Sequence, residues 1–237
     1  MIKGIVFDKD GTLTNFHETW MPAIHKTVEL FSGDNQDLKH RLMVAGGWDP
    51  EENRITSGSI LGAGDINDLI DCFLEILPEL NSQRDELHAE AEAIFTHSSC
   101  EEVVPATDLT ELFSNLRDRG LLIGVATMDS ENAANMLFDK LGVQDQLSYV
   151  VGYDSGHGVK PSAGMVEGFF KKTGLSADEV MVVGDNTHDT EMGRNAGAAT
   201  VVGVLTGNSL AEDLDGHADH ILSSVAELPA LIDQLNA

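Results

Sequence analysis

The stretch Ile2-Lys3-Gly4-Ile5-Val6-Phe7-Asp8-Lys9-Asp10-Gly11-Thr12-Leu13-Thr14 carries an apolar run straight into two carboxylates and a glycine-containing loop. Residues 2–7 read as a buried strand, and the end of such a strand is where α/β proteins place ligands. In an extended chain residues i and i+2 point the same way, so Asp8 and Asp10 are expected to share one cavity while Lys9 turns away. Two acids held that close repel each other and call for a proton, a cation or both. A solvated Asp-Gly turn would account for Asp10-Gly11 without any chemistry. A calcium loop counted from Asp8 needs Gly at its sixth position and Glu at its twelfth, where this chain has Leu13 and Thr19, so that reading fails.

The 237 residues are long for one compact unit and suit a main domain with an insertion. With 42% hydrophobic residues the chain is globular. A formal charge of -26 repels nucleic acid and anionic membranes, so neither is expected as a partner. An anionic substrate must then be drawn in by local positive charge, from a metal and a few of the 14 Lys and Arg. Cys72 and Cys100 fall in helix-like segments without metal-ligand spacing, which suggests a reducing compartment. No signal-peptide succession opens the chain and no apolar run is long enough for a bilayer, so a cytoplasmic protein is expected.

From about Pro105 onward, apolar runs alternate with helix-like segments, the pattern of a parallel sheet covered by helices. Strands are expected at 121–126, 149–151, 180–183 and 200–204, which with residues 2–7 make at least five. A helix begins near Thr107-Asp108, and another runs from Ser130 to Leu141 with Gly142 past its end. A further helix opens at Lys160 and stops at Gly174. The stretch from Phe16 to Glu102 is helical by spacing, with breaks at Gly46-Gly47 and from Ser57 to Gly64, and reads as a separate inserted domain. The fold class is therefore α/β: a Rossmann-like parallel sheet flanked by helices, residues 1–15 and 103–237, with an all-helical insertion at 16–102.

Three later segments join the first. Thr127 puts a hydroxyl after the strand ending Val125-Ala126, where it either binds an anion or merely turns the chain before Ser130. Lys160, in Gly156-His157-Gly158-Val159-Lys160-Pro161, is either a solvated surface lysine or a cation facing the acids. Val182-Val183-Gly184-Asp185-Asn186-Thr187-His188-Asp189 again delivers paired acids at the end of an apolar strand. Four carboxylates, Asp8, Asp10, Asp185 and Asp189, can converge only around a compensating cation, and an all-oxygen set suits Mg²⁺. His188 is expected at the surface or behind the ligands, since magnesium seldom takes imidazole. There is no Walker-type phosphate loop, and Gly156-x-Gly158 lacks the third glycine of a dinucleotide fingerprint.

The order acid pair, hydroxyl, lysine, acid pair resembles the haloacid dehalogenase superfamily, most of whose members are magnesium-dependent phosphatases. The resemblance covers residues 1–15 and roughly 105–205. Two positions depart from the family pattern: Met128-Asp129 follows Thr127 where Asn is frequent, and Gly164 stands where a second proline often follows Lys-Pro. The resemblance implies that Asp8 attacks phosphorus to give an aspartyl-phosphate, and that Asp10 protonates the leaving oxygen and then deprotonates the hydrolytic water. It also implies that Thr127 and Lys160 hold the phosphoryl group. Mg²⁺ is expected on the Asp8 carboxylate, the Asp10 main-chain carbonyl and Asp185, with Asp189 holding the metal or its waters. Asp10 argues against dehalogenation, which offers no ester oxygen to protonate.

The resemblance further makes the insertion a helical cap that closes over the site and selects the substrate. In it Asn53-Arg54-Ile55-Thr56-Ser57-Gly58 is the candidate specificity loop, with Arg54 either pairing with a substrate carboxylate or hydroxyl or simply solvated. Caps at this point resemble those of phosphoglycolate phosphatases and β-phosphoglucomutases. The leading expectation is a phosphatase for a small phosphorylated metabolite of the phosphoglycolate kind, acting as monomer or homodimer. A β-phosphoglucomutase-like isomerase and a non-catalytic regulator that binds phosphorylated ligands remain as alternatives.

Overall fold

The computed structural model describes the backbone of all 237 residues and every side chain except those of Ala63, Ser99, Cys100 and Glu101. The expectation for the Cys100 side chain therefore lies outside the described residues, while Cys72 is a free, half-buried thiol. In chain order the elements begin with β1 (Gly4–Phe7), α1 (Phe16–Ser32), α2 (Gln36–Gly46), β2 (Trp48–Asp49) and β3 (Arg54–Ile55). There follow α3 (Ile60–Ala63), α4 (Ile66–Ile76), α5 (Arg84–Glu101), α6 (Leu109–Asp118), β4 (Leu122–Ala126), α7 (Glu131–Lys140) and β5 (Tyr149–Val151). The chain closes with α8 (Gly164–Thr173), β6 (Val180–Gly184), α9 (Thr187–Asn195), β7 (Thr200–Val204), α10 (Ala211–Leu214), β8 (His220–Leu222) and α11 (Leu228–Leu235). Two compact units result, Met1–Phe16 with Val104–Ala237, and His17–Val103.

The first unit is built on a six-stranded sheet in the order β5-β4-β1-β6-β7-β8, with every neighbouring pair parallel. Strands buried on both faces must be apolar throughout, which is why β1, β6 and β7 read as unbroken runs. Ile5 and Phe7 point into one core with Phe113, Ile123, Val183 and Leu228, while Val6 joins Phe169, Val166 and Val182 on the opposite face. Phe169 sits so close over the sheet that a Cβ on Gly4 or Gly124 would come within 2.8 Å of its ring. The sixth strand, β8, escapes sequence reading because it is three half-buried residues with a histidine at its start.

After β1 the chain turns to β4 and β5 on one side, then returns to β6, β7 and β8 on the other. The carboxyl ends of β1, β4 and β6 thus meet at a topological switch point, where parallel sheets open a crevice. Thr14 bridges to Pro105, and the Asn15 N–H donates to Val104 O at 2.8 Å, so the chain leaves and re-enters this unit at one place. The α8 helix starts at Gly164, later than Lys160, because a turn closed by Ser162 N–H on Val159 O precedes it.

The second unit is mainly helical. In α4 an Asp65–Asp68 capping box starts the helix, and Leu69, Ile70, Phe73 and Leu74 form its buried face, with Phe73 edge-on to Phe31 at 5.2 Å. Beyond the helices expected there, β2 and β3 form a two-residue antiparallel ladder, Trp48 opposite Ile55 and Asp49 opposite Arg54. So short a ladder leaves no period-two pattern to read; it is closed by Asn53, whose φ of 50° lies in the left-handed region. Among the described residues no helix is long and apolar enough to cross a membrane.

Candidate active site

Asp8, Asp185 and Asp189 converge, each offering a carboxylate oxygen within 4.8 Å of the other two. All three are buried, at 7% exposure or less. Asp8 follows β1, Asp185 follows β6, and Asp189 occupies the first turn of α9. Asn186 caps that helix, and its own N–H donates to Asp189 Oδ2 at 3.1 Å, which aims Oδ1 inward. Lys160 Nζ lies 2.6 Å from Asp189 Oδ1 and donates also to Asp8 Oδ1.

Three carboxylates against one ammonium leave two formal negative charges in a buried space. The electrostatics follow. Burial pushes the Asp8 carboxyl up to about 7, with Lys160 pulling it down and Asp189 and Asp10 adding to the rise. Asp185 is raised well above its ordinary value by burial first, then by Asp8 and Asp189. Burial works against the Lys160 ammonium, but Asp189 and Asp8 outweigh it and hold the group above its usual range. Among the described residues, Asp8 Oδ2 is buried with no hydrogen-bond partner. A group of all-oxygen donors with excess negative charge fits a hard divalent cation.

Asp10 is near enough for its charge to raise the Asp8 carboxyl, but it meets partners of its own. Its side chain is absent from the three-acid group; Oδ2 lies 2.6 Å from Lys9 Nζ and Oδ1 3.4 Å from Thr14 Oγ1. The reason is that the extended backbone ends at Asp8. The N–H groups of Thr12, Leu13 and Thr14 all fold back onto Lys9 O, and Gly11 takes a φ of 85°. Lys9 is buried, and its ammonium meets Asp10 and, at 3.5 Å, Asp129. Burial opposes that charge, and Asp10 and Asp129 raise the Lys9 group above its ordinary value.

Thr127 is buried at the end of β4. Its hydroxyl accepts from the Asp129 N–H at 3.0 Å, which leaves the hydroxyl hydrogen to be donated. His188 is exposed. Arg54 belongs to the second unit, on β3, where with burial it lowers the His17 imidazole below its usual value.

Sequence reasoning missed residues after β7 that, with Thr12 of the first loop, hold this end of the site. The Asn208 N–H donates to Asp185 Oδ2 at 3.2 Å, Thr12 Oγ1 donates to Asp185 Oδ1 at 3.4 Å, and Thr206 Oγ1 donates to Gly11 O at 2.6 Å. Gly207 must be bare, since a Cβ there would lie 1.8 Å from Asp185 Oδ2. The signal was present in Thr206-Gly207-Asn208-Ser209, small polar residues at another strand's carboxyl end.

The family model for haloacid dehalogenase-like hydrolases matches residues 2–197. The chain belongs to that family. As a haloacid dehalogenase-like hydrolase it is similar over its whole length to the pyrophosphatase PpaX of Bacillus mycoides, 25% identical over 238 residues that cover 99% of each chain. The phosphoglycolate phosphatase of Rhodospirillum rubrum is 28% identical over 205 residues, 85% of this hydrolase and 79% of that one. Among solved structures, a haloacid dehalogenase-like family hydrolase of Streptococcus pneumoniae superposes with a TM-score of 0.71 at 17% identity over 98% of each chain, which shows the shared fold.

Proposed function

We propose that this hydrolase cleaves a small phosphate monoester of the phosphoglycolate kind through an aspartyl-phosphate on Asp8. The observation that carries the reading is the Asp8 carboxylate itself: buried at the end of the central strand, held by Lys160 through Oδ1, with Oδ2 unpartnered. Such an oxygen is positioned as a nucleophile, and Lys160 and the Thr127 hydroxyl supply donors for phosphoryl oxygens. Asp10 protonates the leaving oxygen and later takes a proton from the attacking water. Asp8, Asp185 and Asp189, with the Asp10 main-chain carbonyl, would hold Mg²⁺, which when bound neutralises charge on the phosphoryl group. The unit His17–Val103 serves as the cap, with Arg54 as its candidate substrate contact.

The relationship to the Rhodospirillum phosphatase supports the monoester reading. The full-length similarity to PpaX favours a second one, in which the bond broken is the anhydride of inorganic pyrophosphate. Phosphate release is measured from phosphoglycolate, sugar phosphates, glycerol phosphate and pyrophosphate, with Mg²⁺ and with EDTA, for the wild type and Asp8→Asn. Mg²⁺-dependent release that disappears in Asp8→Asn is expected, and the preferred substrate separates the two readings. Release that persists in Asp8→Asn would sink the covalent mechanism.

A further inference from the structure

We infer that Lys9 is a positioning residue for this reaction: its buried ammonium ties Asp10 to the loop bearing Thr127 and so fixes the carboxyl that gives a proton to the leaving oxygen. The inference rests on the phosphate-ester reading of the same site. An ammonium at 1% side-chain exposure is out of water, which is unfavourable unless acids compensate it. Lys9 meets two: Asp10 Oδ2 at 2.6 Å and Asp129 Oδ2 at 3.5 Å. The contact to Asp10 is an ion pair without the alignment of a hydrogen bond, so it constrains by charge.

The backbone leaves Lys9 little freedom. Its carbonyl accepts the N–H groups of Thr12 at 3.3 Å, Leu13 at 2.9 Å and Thr14 at 3.0 Å. On the far side, Asp129 is itself fixed, accepting the Ser130 N–H on Oδ1 at 2.8 Å and giving its own N–H to the Thr127 hydroxyl at 3.0 Å. One chain of contacts therefore runs Asp10, Lys9, Asp129, Thr127, from the acid to the hydroxyl proposed to hold the phosphoryl group. Asp129 stands in the Met128-Asp129 pair that departs from the family pattern, so this chain carries both ends of the tie.

With Oδ2 against Lys9, Asp10 Oδ1 meets Thr14 Oγ1 at 3.4 Å and is the oxygen that exchanges a proton. As the bond from Asp8 to phosphorus forms and the bond from phosphorus to the leaving oxygen breaks, that oxygen takes the Asp10 proton. Asp10 is left as a carboxylate facing an ammonium whose charge does not change. The benefit of a well-placed acid is large for an alkoxide leaving group and small for one that departs readily as an anion.

The test compares kcat/KM, which reports the step in which the leaving oxygen departs, for p-nitrophenyl phosphate and for the best alkyl phosphate among phosphoglycolate, glycerol phosphate and glucose 6-phosphate. Lys9→Met is expected to lower the alkyl-to-aryl ratio by roughly tenfold or more, through kcat with KM little changed. Lys9→Met/Asp129→Asn, which removes one cation and one anion together, is expected to show the same selective loss, and it decides the matter if circular dichroism shows the single variant unfolded. Equal losses on both esters, or a loss confined to KM, overturn the positioning role and leave the phosphatase reading intact. Wild-type protein that turns over neither ester overturns that reading and the inference together.

Discussion

Lys160 Nζ lies 2.6 Å from Asp189 Oδ1, so a cation from the loop before α8 neutralises an acid in the first turn of α9. The same ammonium bonds Asp8, so it is the shared counter-charge of the two buried groups.

Removing that charge while keeping the stem, in Lys160→Met, leaves buried carboxylates without their partner. A loss of about 3–5 kcal/mol in denaturant unfolding is expected, together with a fall in turnover on the order of a hundredfold. An unchanged unfolding midpoint would mean that the acids are compensated without Lys160.

The excess negative charge around Asp8, Asp185 and Asp189 makes a stabilising cation the expected ligand. At a hundredfold excess over its Kd, Mg²⁺ would add about 2.7 kcal/mol to the folded state. The thermal midpoint should climb with MgCl2 and not with NaCl at matched ionic strength, and Asp185→Ala should abolish the difference. A Mg²⁺-dependent rise of equal size in Asp185→Ala would place the ion elsewhere.

A pH effect arises away from the site, between α9 and the segment leading into β8. Burial pushes the Asp219 carboxyl up, but Arg194, at 2.7 Å and 3.0 Å, and the Val201 N–H, at 2.8 Å, outweigh it and leave the group below its ordinary value. A carboxyl depressed by folding contributes stability above its unfolded value, about 3.9, and loses it as pH falls through the folded value. Arg194→Ala should therefore be less stable than wild type at neutral pH by ~1 kcal/mol or less, the bridge being partly exposed, with the gap closing in the acid range. Urea unfolding of both proteins across that range checks the sign; a constant gap would rule out Asp219 as its source.

Much of this was legible in the chain because the signals are local. β1, β4, β6 and β7 are apolar for the plain reason that both faces of the sheet are covered, and Asp8, Thr127 and Asp185 each follow such a run. The capped start of α7 at Ser130 and the left-handed stop of α8 at Gly174 were equally readable. Strand alternation could not give the partners of Asp10, because it presumes an extended backbone and the turn closed on Lys9 O ends that geometry after Asp8.

Residue type and period, which are properties of neighbours in the chain, reveal the central strands β1, β4, β6 and β7 and the chemistry at their ends. Tertiary structure decided which charges meet: Lys160 with Asp8 and Asp189, Lys9 with Asp129, and the Asn208 N–H with Asp185. The sheet order β5-β4-β1-β6-β7-β8 brings together strand ends far apart in the chain, and Coulomb energy and hydrogen bonding depend on distance through space.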